Sequence, residues 1–191
     1  MKITRLLAFV LLAATCFFGA DTYFPRDTVS DFEQTWYAKH LSAMKEPVLT
    51  SRGDDRSYIA FRVLYLPTWG RPVAIRIEKT DEKIVRRSVM LSGDGGYDPG
   101  RIKDEKESAI TSAEFATLLE EIRKSGFWDL SPKDEVMGLD GSQLIVEAIQ
   151  DGKHVVLVRW TPEHDTAKRG LTGLVSLYSQ FFQEATFWTK K

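Results

Sequence analysis

Apolar positions recur along the chain with two periods, and the periods alternate in blocks. Val29, Phe32, Trp36 and Ala43 share one helical stripe, widened by Tyr37, Leu41 and Met44. Ser30-Asp31-Phe32-Glu33 is a capping box and Pro47 closes the stripe, so a helix is predicted over 30–44. A period of two follows: segments 58–66, 73–79 and 84–91 read as strands, most plainly where Val73, Ile75 and Ile77 alternate with Ala74, Arg76 and Glu78. Turn-forming segments 67–72 and 80–83 join them into a three-stranded meander. The stretch 92–108 is polar, begins rich in glycine, and reads as a loop. Helical spacing returns at Phe115, Leu118, Leu119 and Ile122, after a second capping box at Thr111-Ser112-Ala113-Glu114 and before Gly126. Residues 131–142 form another polar loop. Strands 144–150 and 153–160 meet at Asp151-Gly152, a strong hairpin signal. A last helix is predicted over 167–188, its face running from Leu171 through Leu174, Tyr178 and Phe182 to Ala185 and Trp188. The order α-βββ-α-ββ-α predicts an α+β fold. It has a mainly antiparallel sheet of about five strands, the meander plus the hairpin, with three helices packed on it.

Ahead of the first helix the pattern changes kind. Lys2 and Arg5 precede an uncharged apolar run, 6–18, and Gly19-Ala20 follow. A basic start, a short apolar run and small residues make a secretory signal. Cleavage is expected between Ala20 and Asp21, which divides the chain into a signal peptide, 1–20, and a single α+β domain, 21–191. The run is shorter than the roughly 20 residues of a membrane span, and no later run reaches that length, so the mature chain is expected to hold no transmembrane helix. A rival reading makes Cys16 a lipidated N-terminus. Ala13-Ala14-Thr15 suit that poorly, so a periplasmic or secreted protein is preferred to a lipoprotein. Cys16 is the only cysteine, and an exported domain without disulfides rests on its apolar core alone.

Composition then narrows the function classes. The 191 residues carry 26 Lys+Arg against 27 Asp+Glu, a formal net charge of -1, and 43% are hydrophobic. Such a chain is too apolar and too balanced for disorder. It also lacks the basic excess with which nucleic-acid binders neutralise phosphate. His40, His154 and His164 share no zinc spacing. No Gly-x-Ser-x-Gly elbow, His-Glu-x-x-His or phosphate-binding Gly-Lys-Ser/Thr motif occurs. Gly93-Asp94-Gly95-Gly96 does not lead into a helix and reads as a turn. No metal or cofactor is implied.

The hairpin carries the sharpest chemical question. Counting back from Asp151-Gly152 pairs Gln150 with Lys153, Ile149 with His154 and Glu147 with Val156. Glu147 and His154 then lie diagonally on one apolar face, where neither stays unpaired cheaply. One reading is a general acid/base pair. The preferred one is a structural polar cluster of Glu147 and His154 completed by Arg62 or Arg76. Arg159-Trp160 ends the last strand. Trp160 is core, or part of a rim where Arg and Trp meet a partner, and Arg159 is placed to reach Asp140. Trp69, Tyr97, Asp140, Arg159 and Trp160 are therefore the binding candidates. His40 reads as a partly exposed polar group on the first helix.

Several ordered segments resemble a family of uncharacterised bacterial exported proteins. They are Trp36-Tyr37-x-Lys39-His40-Leu41-x-Ala43-Met44-x-Glu46-Pro47, Gly95-Gly96-Tyr97-x-Pro99-Gly100, Phe127-Trp128-x-Leu130, Asp140-Gly141-Ser142, Glu147, and His154-Val155-Val156 leading to Arg159-Trp160-x-Pro162. The sequence departs after Asp140-Gly141-Ser142, where the family tends to an aromatic and Gln143-Leu144 stand here. The resemblance implies a shared fold and export, and it carries over no catalytic residue. The function expected is a non-enzymatic binding or interaction module of the periplasm or envelope, its partner a protein or small ligand there. The alternatives are an envelope hydrolase-type enzyme using Glu147 and His154, and a lipid-anchored envelope protein held through Cys16.

Overall fold

The computed structural model describes residues 22–81 and 83–184. The predicted signal segment 1–20 with Cys16, and Ala185 and Trp188 of the predicted last helix, lie outside those residues. Strands β1 (Ile59–Pro67), β2 (Val73–Lys79), β3 (Ile84–Leu91), β4 (Ile102–Ala109), β5 (Ser142–Gln150) and β6 (Lys153–Trp160) form one sheet. Its spatial order is β4-β3-β2-β1-β5-β6, and every pairing is antiparallel. Helices α1 (Asp31–Ala43), α2 (Ser112–Lys124) and α3 (Thr172–Glu184) complete an α+β fold. Both predicted capping boxes close, Ser30 with Glu33 and Thr111 with Glu114. Among the described residues no helix is long and apolar enough to cross a membrane.

Alternation along the strands sorts the interior into two cores. Phe61, Val63, Ile75, Val146 and Leu157 face α2 and α3, meeting Phe115, Ile122, Leu174 and Phe181. Leu64, Ala74, Val89, Ile145 and Val158 face α1, meeting Tyr37, Leu41 and Met44. Strand β5 is buried along nearly its whole length, because both its faces are covered. The hairpin register matches the count from Asp151-Gly152 at every position, from Gln150↔Lys153 to Leu144↔Arg159. Asp151 and Gly152 both take positive φ, the geometry of a tight primed turn.

The structure corrects the sequence reading in several places. The sheet has six strands, because Ile102–Ala109 is a strand and not loop. It pairs with β3 at the sheet edge and is exposed on both faces, so no apolar alternation marks it. Helix α3 starts at Thr172 instead of 167. Turns fill the gap, where Arg169 collects the carbonyls of Trp160, Thr161 and His164. Phe32 leaves the core stripe of α1 and is 73% exposed. His40, expected partly exposed, is fully buried beside Gly95 and Asp98 of the 92–101 loop. The other sheet edge is covered too: Val158 of β6 donates to the Pro132 carbonyl, and Lys133 bridges to Val158 in parallel.

Candidate functional site

A rank of charge crosses the α1 face of the sheet. Arg87, Arg76, Arg62 and Glu147 are successive register partners on β3, β2, β1 and β5. Three guanidinium groups side by side repel one another, and Glu46, just beyond α1, resolves the conflict. Its Oε2 accepts from Arg76 Nε at 2.9 Å and lies 3.6 Å from Arg62 Nη1, while its Oε1 accepts from Arg87 Nη1. Glu78 pairs with Arg76, and Glu105 of β4 accepts from Arg87 Nε at 3.0 Å. Arg62 Nε donates to Glu147 Oε2 at 3.1 Å, and Glu147 Oε1 stands 2.7 Å from His154 Nε2. Arg62 also donates to the Pro47 carbonyl and Arg87 to that of Met44. The cluster thus bolts the end of α1 to the sheet.

Arg62, Arg76, Glu147 and His154 therefore come together. Glu46 and Arg87, which the sequence reading passed over, complete the set. Glu147 is 1% exposed and both its oxygens are occupied. A general acid or base has to reach a substrate, and this carboxylate faces only its own protein. Among the described residues no group of three or more His, Cys, Asp or Glu is placed to hold a metal ion.

The open site lies at the other end of α1. A groove of about 830 Å³ runs between the first turns of α1 and the segment 133–139. Phe32 and Trp36 form one wall, Met137 and Leu139 the other, and Gln143, Val158 and Trp160 the floor. Tyr97 closes one end and stacks on Trp69 with ring centroids 5.1 Å apart. Trp69 Nε1 donates to Asp140 at 3.1 Å, so Trp69, Tyr97, Asp140 and Trp160 converge here. The sequence reading put Phe32 on the core stripe, noted Gln143 only as a departure from the family pattern, and passed over Met137 and Leu139. The available signal was apolar Met137 and Leu139 inside an otherwise polar loop.

Arg159 does not belong to this surface, and it does not bind Asp140. It is 2% exposed, donates to the carbonyls of Ser131 and Pro132, and lies 3.8 Å from Asp134. Its position alternates with Trp160 and so points off the groove floor. Its role is to hold the start of the 131–139 wall.

The framework around the groove is fixed by close backbone approaches and ion pairs. A methyl group added at Gly95 would meet the backbone of Leu66 and Pro67 at 2.6 Å, so only glycine lets the 92–101 loop lie against the sheet. That loop's Gly95 carbonyl accepts from Trp36 Nε1 at 2.8 Å, and its Tyr97 carbonyl accepts from Lys39. Lys133 pairs with Glu33 and ties the two walls together. Burial raises the Glu33 carboxyl pKa, but the donors on Lys133 and Ser30 outweigh it and hold the group below the usual range. A scan of the chain against protein-family models finds no match, and a search of curated proteins finds none either.

Proposed function

We propose that the protein is an exported, non-enzymatic binding module of the bacterial periplasm or envelope, and that the groove beside α1 is its binding site. One observation carries the second half. Among the described residues the exposed large apolar side chains are Phe32, Trp69, Tyr97, Met137 and Leu139, and all five border this groove or stack on its rim. Clustered exposed apolar surface marks a contact site, whereas scattered single residues do not. The export half rests on the basic start, the apolar run 6–18 and Gly19-Ala20.

Replacing Met137 and Leu139 together by serine tests the site. Both are nearly fully exposed, so stability is expected to stay within about 0.5 kcal/mol of the parent in urea unfolding. Titration with the apolar dye anilinonaphthalene sulfonate is expected to show saturable binding by the parent and at least tenfold weaker binding by the variant. Equal dye binding by both would remove the groove from consideration. Export is tested by the mass of the mature chain. A chain beginning at Asp21 is expected. A lipidated Cys16 would replace the soluble reading by the anchored one, and an intact Met1 would end both.

A further inference from the structure

We infer that a second, smaller cleft, walled by Tyr65, Tyr178 and Phe182 and edged by Glu163, binds a quaternary ammonium headgroup of the choline type. It lies on the α3 side of the sheet, whereas the groove floor lies on the α1 side. Tyr65 alternates with Leu64 and Leu66, which face α1, and so points toward α3. Tyr178 and Phe182 are four apart on α3 and share one face of it. Glu163 comes from the turns that follow β6, and Ser179 completes a cleft of about 280 Å³. The Phe182 ring stands between the two tyrosines, with centroids 5.4 Å from Tyr65 and 5.9 Å from Tyr178. The ring planes meet at 71° and 90°. Rings set at such angles form walls, not a stack, and a cation between walls meets the negative face of more than one ring.

Glu163 sets the sign of the ligand. Nearby acids have basic partners: Asp134 pairs with Arg169, and Asp165 with Lys168. Glu163 instead accepts from the Tyr178 hydroxyl, and among the described residues no lysine, arginine or histidine forms an ion pair with it. Burial raises the Tyr178 phenol pKa and the Glu163 carboxylate raises it further, so the phenol is the donor of that bond. A carboxylate beside three aromatic rings is complementary to a cation and repels an anion. The rings then decide which cation. A primary ammonium is compact and strongly hydrated, and three carbon walls return nothing for the water it would lose. A trimethylammonium group has no N–H to satisfy. Its methyl groups pack on the rings while its charge faces Glu163, which is the chemistry of aromatic cages. At about 280 Å³ the cleft falls just below the roughly 300–1,000 Å³ of pockets for drug-sized ligands, so it takes a headgroup and not a larger molecule.

Calorimetric titration of the mature chain with choline chloride tests the site. Saturable binding is expected. The neutral carbon isostere of choline, in which a tert-butyl group replaces trimethylammonium, should bind at least tenfold more weakly, and ammonium chloride not at all. Glu163→Gln keeps an acceptor for Tyr178 at an exposed position and is expected to weaken choline about tenfold. Tyr65→Leu removes one wall and is expected to do the same, with urea unfolding to show that both variants fold. The headgroup can arrive free or on a lipid. Cosedimentation with phosphatidylcholine vesicles, competed by free choline, identifies a lipid source; choline binding without cosedimentation identifies a free solute, and either upholds the site. Equal binding of choline and its neutral isostere would reduce the cleft to an apolar dent and overturn the inference. Undiminished choline binding by Glu163→Gln, or none by the parent, overturns it as well. The dye titration of the groove is unaffected by any of these results.

Discussion

Glu46→Ala is expected to lower stability by about 3–5 kcal/mol, the usual cost of removing one partner from a buried ionic group. A domain of this size holds about 5–15 kcal/mol in all, so the variant should unfold at a far lower urea concentration. Glu46 is 5% exposed and is the carboxylate that Arg62, Arg76 and Arg87 share. Without it three guanidinium groups stand in register on β1, β2 and β3 with less negative charge than they need. Water cannot enter freely to replace it. The end of α1, fastened through the Met44 and Pro47 carbonyls to Arg87 and Arg62, should loosen with it. Urea midpoints for Glu46→Ala and for Lys45→Ala, an exposed neighbour, settle the point. A loss under 1 kcal/mol at position 46 would show that the cluster is not what holds α1 down.

The second large effect is acid sensitivity. His40 is fully buried, and the Gly95 backbone beside it offsets only part of the cost of burying a charged ring. Burial, helped by the charge of Lys39, pushes its pKa down to about 4 from an ordinary value of about 6.5. The folded state therefore holds the neutral ring while the unfolded chain accepts a proton. Stability from this source is complete above pH 6.5, declines as pH falls below that, and is fully lost below pH 4. The difference between the two states is on the order of 3 kcal/mol. His40→Leu should erase most of that slope between pH 6.5 and 4. It should also be about as stable as the parent at pH 7, since a buried polar ring gives way to an apolar side chain. Urea midpoints of both proteins across that range provide the comparison. Parallel curves would mean that His40 gains a proton without cost.

What the sequence reveals and what it conceals divide along physical lines. The β5–β6 hairpin was legible to the register, because Asp151-Gly152 fixes the turn and the turn fixes every pair after it. The α1 and α2 starts were legible because a capping box is local chemistry. Strand β4 was not, because it is an edge with polar residues on both faces, and what identifies it is Glu105 meeting Arg87 across 18 residues. Glu147 and His154 could be placed together from one hairpin. Adding Arg62 required the β1–β5 pairing, which spans 85 residues. Glu46 stood out only within a segment of family resemblance and carried no sign of its role, since an acid after a helix end ordinarily sits in water. Phe32 shows the converse limit. Periodicity put it on the apolar stripe, but the stripe is wider than the part the sheet covers, and the remainder became a wall of the groove.

The two margins of the sheet bear on how crowded copies of this chain behave. An open strand edge is a template on which another chain can grow a fibre. Here one margin, β4, runs Lys103-Asp104-Glu105-Lys106-Glu107 in exposed positions, and any strand arriving there must desolvate them. At the other, the main chain at Pro132 and Lys133 already occupies the outward groups of Val158. A chain whose only cysteine is Cys16 has no intrachain disulfide to resist edge-to-edge polymerisation. Its protection against amyloid-like growth is written into an uninviting border strand and a short cover.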